Sequence, residues 1–242
     1  ELVTIGEMRS GKAGEIYHIR GWATSGTSRP GNTFSKTIYL QDDTGGVALV
    51  PFTGENIEVG TPIEVVGRKE IRGGNVVLKI IDYEVLDEPL YNYTPKTTSN
   101  KDAMDYDANG GRLMQVEGKV TDVTYSVGGK GVSRITLKDG NGDFAEILIE
   151  DGIVSGADGK NNLASQVKRG RTVRAIGILH LDSNGTPVLR VRNCDEVVYV
   201  PPVPVSLGSR RNPRTGDLIW IAVGVMVLSG IGLAVLLNKK KR

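Results

Sequence analysis

The chain has 242 residues, with 30 Lys and Arg against 28 Asp and Glu, 39% hydrophobic residues, 32 glycines and one cysteine. Balanced charge at that apolar content excludes an intrinsically disordered chain. A single cysteine excludes a disulfide-stapled scaffold, so burial alone must hold the fold.

Five strand-like runs come first: Ile16–Ser25, Thr37–Asp42, Val47–Phe52, Thr61–Arg72 and Asn75–Val85. Alternation sets the faces of the second run. Ile38 and Leu40 point into a core, while Thr37, Tyr39 and Gln41 point out. Asp42-Asp43-Thr44-Gly45-Gly46 and Gly73-Gly74 have the composition of hairpin turns. Gly21 falls mid-strand, where a barrel bend needs a residue without a side chain. Residues 1–90 form a first module.

Residues 91–110 are expected to be a linker with a short helix from Ser99 to Asp105, capped by Ser99. Asp105-Tyr106-Asp107-Ala108-Asn109-Gly110 copies the first half of a calcium loop. The twelfth position is Val116 rather than Glu, so no metal is assigned.

The pattern then repeats in residues 111–200. Residues 16–50 align without a gap to 113–147 at an offset of 97, with identities such as Gly21/Gly118, Leu40/Leu137, Asp42/Asp139 and Ala48/Ala145. The match resumes at offsets of 110 and 111, through Gly67/Gly177 and Leu78/Leu189. The second copy carries thirteen more residues between its third and fourth strands, with a short helix expected around Asn162–Val167. Five strands with a helix or loop between the third and fourth is the OB-fold pattern. The fold class is therefore mainly β: two tandem five-stranded OB-like barrels followed by a C-terminal transmembrane helix.

Catalytic chemistry is sparse. His18 and His180 have no ligand-spaced partners, and Cys194, placed in the last strand, has no basic neighbours to activate it. No catalytic residue, metal or cofactor is assigned. Nucleic-acid binding needs a basic groove with stacking aromatics. Copy one has a net charge of −4 and copy two of +1. Two readings stand for the strand surfaces. One is ordinary solvated faces. The other is a polyanion site drawing on Arg134, Lys138, Arg174, Arg190 and Arg192 of copy two, with Trp22 and Tyr39 of copy one as the aromatics, because the outward strand-two face of copy two has none. Nucleic acid or wall teichoic acid would satisfy the same charges.

Residues 201–217 form a Pro-rich linker, extended by composition. Leu218–Leu237 are twenty consecutive uncharged residues, enough for a helix about 30 Å long, the thickness of a bilayer core. The helix is assigned to 218–238, and Lys239, Lys240, Lys241 and Arg242 form a cytoplasmic tail by the positive-inside rule.

Just before the span stands Asn212-Pro213-Arg214-Thr215-Gly216. Motif, apolar span and basic tail together resemble the cell-wall sorting signal of Gram-positive surface proteins. The commonest family motif begins with Leu where this one has Asn212. The resemblance implies that a membrane sortase cleaves between Thr215 and Gly216 and passes the Thr215 carbonyl to a peptidoglycan amine. It also implies extracellular, wall-anchored display after a single-pass membrane precursor. Cleavage would take the net charge from +2 to −1. Tyr39-Leu40-Gln41-Asp42-Asp43-Thr44-Gly45-Gly46-Val47-Ala48 and Leu189-Arg190-Val191-Arg192-Asn193 are similar to the OB-like modules attached to secreted bacterial nucleases and 5′-nucleotidases. That resemblance implies an accessory or spacer role beside an upstream catalytic domain. Export requires a signal peptide, so a chain beginning Glu1-Leu2-Val3 is expected to be either a processed chain or the C-terminal part of a longer one. The alternatives are a self-contained binder of single-stranded nucleic acid or another polyanion, and an uncleaved membrane protein.

Overall fold

The computed structural model describes residues 1–27, 34–54, 56–129 and 131–202. The expected sorting motif, apolar span and basic tail lie outside the described residues. Among the described residues no helix is long and apolar enough to cross a membrane.

The elements run β1 (Leu2–Val3), α1 (Ile5–Ser10), β2 (Ile16–Ala23), β3 (Ile38–Gln41), β4 (Gly46–Val50), β5 (Pro62–Arg72), β6 (Asn75–Val85), β7 (Lys96–Thr97), α2 (Asn100–Ala103), α3 (Tyr106–Asn109), β8 (Leu113–Tyr125), β9 (Val132–Lys138), β10 (Phe144–Leu148), β11 (Thr172–Leu181), β12 (Pro187–Arg190) and β13 (Val197–Val200). Strands β2-β3-β4-β6-β5 close on β2, and β8-β9-β10-β12-β11 close on β8. Each ring has a single parallel pair, β4 with β6 and β10 with β12. The protein is thus mainly β, with two closed five-stranded barrels of OB-like connectivity. Closure removes the open sheet edges that would otherwise invite pairing with other chains.

Gly21 and Gly118 stand where each first strand crosses its neighbour. A Cβ would lie 2.9 Å from the Gln41 carbonyl oxygen in one barrel and 2.6 Å from that of Lys138 in the other. A side chain at either place would push the sheet open.

Each barrel is capped by a short helix held through the same device. Thr4 and Glu7 form a capping box on α1, and the Ile5 amide donates to Asp42 in the β3–β4 turn at 2.8 Å. In the second barrel the Asn100 amide of α2 donates to Asp139 in the β9–β10 turn at 3.0 Å. Backbone N–H groups, that of Asn100 first, hold the Asp139 carboxyl below its ordinary range. α1 turns Ile5 and Met8, three residues apart, to one face, and both are fully buried.

The short helix expected from Ser99 is present as α2, capped by Ser99, and around it β7 pairs in parallel with β8, as β1 does with β2, while α3 follows. Three other expectations are corrected. The expected helix at Asn162–Val167 is one 3-10 turn, Leu163–Ser165. Cys194 opens a 3-10 turn after β12 rather than lying in a strand. The equivalence Ala48/Ala145 is broken by turn length. Four residues join β3 to β4 and five join β9 to β10. Side chains alternate with a period of two, so the extra residue flips the match. Ala48 sits opposite Tyr39 on the outer face, whereas Ala145 sits opposite Leu137 inside the barrel.

The first barrel has a core of its own, around Ile19, Leu40, Leu49 and Ile63, and part of its outer face joins the core of the second. Phe34, Tyr39, Ala48 and Val77 of the first pack with the core of the second, beside Met114, Ile135 and Leu179. At the centre the backbones meet: a Cβ on Gly46 would lie 2.2 Å from the Gly111 carbonyl oxygen, and Gly111 has φ +78. Gly111→Ala is expected to cost about 2–3 kcal/mol, combining left-handed backbone strain with the clash. Gly128→Ala, at φ +86 with nothing within 4 Å, isolates the strain and should cost about 1 kcal/mol. Urea unfolding should show the difference, with both barrels melting in a single transition in the wild type.

Candidate binding face

The outer face of an OB barrel's second and third strands is the usual place for a ligand. In the first barrel that face is filled by the second barrel. Tyr39, on the outward side of β3, is 1% exposed and Gln41 5%. The expectation that both point to solvent is corrected: they do leave their own core, but into a neighbouring one. The Gln41 side-chain oxygen accepts from the Leu113 amide at 2.8 Å. Asn75 holds the Leu181 backbone twice, donating to its oxygen and accepting from its nitrogen, each at 2.8 Å. The Tyr106 hydroxyl accepts from the Val76 amide at 2.9 Å.

A charged chain crosses the same interface. Arg190 donates to Glu150 at 2.7 Å and to the Tyr39 hydroxyl at 2.7 Å, with its guanidinium 4.0 Å from the Phe34 ring centroid. The Tyr39 oxygen, accepting from Arg190, keeps its proton for His180 Nδ1, 3.1 Å away. That leaves the His180 proton on Nε2. The Asn75 side-chain nitrogen, 3.4 Å from Nε2, then faces another donor, and its hydrogen bond goes to Leu181. Arg192 pairs with Glu196 and donates to the Thr24 carbonyl of the first barrel.

The residues named from sequence as a polyanion set are therefore separated. Tyr39, Arg190 and Arg192 join the barrels. Trp22 packs against Tyr91 and Tyr93, with centroids 5.5 and 6.2 Å apart, and holds the connector to the first barrel. Arg174 pairs with Glu117 at 3.0 Å. Arg134 pairs with Asp182 at 2.8 Å and with Glu146 at 3.6 Å. Lys138 is exposed and makes no ion pair among the described residues.

On the second barrel the equivalent face, β9 with β10, is open. It does carry an aromatic, contrary to expectation. Phe144 lies directly across from Lys138, whose ammonium is 5.2 Å from the ring centroid, and is 54% exposed. Alternation along Phe144, Glu146 and Leu148 is the signal that places it outside. At the other end of these strands, by Val132 and Ile149, part of the extra segment of the second copy, Gly159–Asn162, lines a groove of about 680 Å³. Asn161 pins that segment to β9, donating to the Val132 carbonyl at 2.8 Å.

The remaining titratable candidates are tied into structure. His18 lies 2.5 Å from Glu64. The buried Cys194 thiol is pushed up to about 11, chiefly by desolvation. Among the described residues no group of three or more His, Cys, Asp or Glu side chains could hold a metal ion.

No protein-family model matches the chain, and no curated protein matches it. Among solved structures it is similar to the hypothetical protein ygiW from E. coli, at 11% identity over 36% of this chain and 90% of that one, with a TM-score of 0.30. It is also similar to the telomere capping protein Ten1 from Saccharomyces pombe, at 18% identity over 35% and 78%, with a TM-score of 0.27. At such scores neither likeness supports an argument about function.

Two outcomes follow from the buried chain. Desolvation and then Arg190 push the His180 pKa from 6.5 to about 4, against an opposite pull from Asp182. The unfolded chain takes up this proton near 6.5, while the folded one resists until about 4. Stability is therefore whole above pH 6.5 and falls as pH drops towards 4, by at most about 3 kcal/mol. His180→Gln should remove that component from urea midpoints measured across the window. Arg190→Ala should cost about 2–3 kcal/mol at pH 7, since it strands the Tyr39 hydroxyl and a half-exposed Glu150.

Proposed function

We propose that this chain is the non-catalytic, wall-anchored part of an extracellular surface protein. Two OB barrels act as one accessory body, spaced from the membrane by the Pro-rich segment 201–217 and presenting one open sheet face. The accessory role rests above all on the mutual burial of the barrels. It occupies the first barrel's ligand face and takes up the most reactive-looking side chains, His180, Tyr39 and Arg190, in docking.

The anchoring rests on the C-terminal sequence. Pro213 fixes a bend, Thr215 presents a small side chain, and Gly216 leaves the scissile carbonyl uncrowded. A sortase cleaving there would leave Thr215 joined to peptidoglycan. The basic tail, which supplies the chain's positive balance, would be discarded. By resemblance, the body would serve a nuclease or nucleotidase domain carried on the same protein.

The test is mass spectrometry of peptides from cell walls digested with a muralytic enzyme. A peptide ending at Thr215 and carrying a cross-bridge fragment is expected, and Thr215→Ala should move the protein to the membrane fraction. A wild-type tail recovered intact with membranes would overturn the anchoring.

A further inference from the structure

The two copies differ most informatively along one row of outward positions. In the second barrel, Lys119 on β8 stands opposite Lys138 on β9, and Lys138 stands opposite Phe144 on β10. The equivalent row of the first barrel is Trp22, Gln41 and Gly46. There Trp22 lies against the connector, and Gln41 and Gly46 are buried against the second barrel. The closed copy thus carries neutral groups where the open copy carries two ammonium groups and a half-exposed ring.

Three neighbouring arginines meet an acid, while Arg171 donates to the Ser165 and Gln166 carbonyls and lies over the Tyr199 ring. Arg174 meets Glu117 across β11 and β8, Arg169 meets Asp122, and Arg134 meets Glu146 and Asp182. Lys119 and Lys138 have no ion-pair partner among the described residues. The nearest turn carboxylate, Asp139, is occupied by the backbone N–H groups of Asn100, Asn141 and Asp143. Like charges directly opposite on adjacent strands repel. Such a pair is relieved by an anion bound between them. Three strands at their ordinary spacing put the far lysine roughly 10 Å from the ring, a span that suits a phosphate at one end and a planar base at the other.

We propose that the Lys119–Lys138–Phe144 row binds single-stranded nucleic acid, with phosphates between the two ammonium groups and a base stacked on Phe144. This rests on reading the second barrel's open face as the binding face. The ring favours nucleic acid over a wall polyanion, since every base offers a π-face and a polyol phosphate offers none.

The experiment titrates the full chain in neutral detergent with a thymidine oligonucleotide of about ten residues, within the usual OB site size, across a salt series. Lys119→Gln/Lys138→Gln should weaken binding about tenfold or more. It should also lower the slope of log affinity against log salt by about 1.4, two phosphates' worth of released counterions. Taking the slope as a difference cancels any contribution of the basic tail. Phe144→Ala should weaken oligonucleotide binding about tenfold and leave inorganic polyphosphate binding unchanged. Arg174→Gln, at a matched position, should stay within about twofold of wild type. No binding at low salt, or binding indifferent to the double variant, overturns the proposal. Polyphosphate bound as well as the oligonucleotide, with Phe144→Ala without effect on either, overturns nucleic acid in favour of a wall polyanion. None of these results bears on wall anchoring, which the Thr215 peptide reads separately.

Discussion

The close approach of Gly46 to Gly111 is the constraint from which the rest of the described structure follows. Two backbones can meet there only because neither residue has a Cβ and because Gly111 can hold a positive φ. That contact brings the outer face of β3 and β4 against the second barrel. Side chains that would otherwise face water, Tyr39, Gln41, Ala48 and Val77, become interior. Tandem barrels joined by a linker would move independently by default. Here the outer face of the first is packed into the core cluster of the second.

The polar groups in that core show how burial is made tolerable. Every carbonyl or amide exposed by the docking needs a partner. Asn75 supplies two at once to Leu181, Gln41 supplies one to Leu113, and Tyr106 supplies one to Val76. The Glu150–Arg190–Tyr39–His180 chain runs from a half-exposed carboxylate to a half-buried neutral imidazole, so one cation is neutralised and no second is required. Such chains specify an orientation more than they add stability, because desolvation offsets much of the Coulomb gain. The cost is sensitivity to acid, since a second charge on His180 would sit beside Arg190.

The asymmetry between the copies assigns them different tasks. Duplication placed the same surface on both barrels, and docking used it only once. The buried version has become small, neutral and shaped to its neighbour. The free version carries charge and an exposed ring. The chain thus combines a docked two-barrel body with one outer strand face left open.

The sequence by itself determined the elements and their repetition. Alternation and turn composition placed the ten barrel strands, and the glycines marked the bends. These are local signals, carried by neighbours within one strand or hairpin. Only the tertiary structure decided which outward side chains meet solvent. Tyr39 and Lys138 both lie outward on a second strand, and nothing local distinguishes them. The first is buried because another barrel, more than sixty residues along the chain, lands on it. For the same reason Arg190 and Arg192 could be recognised as basic and outward but not as interface residues. Phe144 was hidden by a one-residue difference in turn length between the copies, although alternation along its own strand marks it as outward. Local periodicity reports which way a side chain leaves its own strand, and long-range packing determines what it meets there.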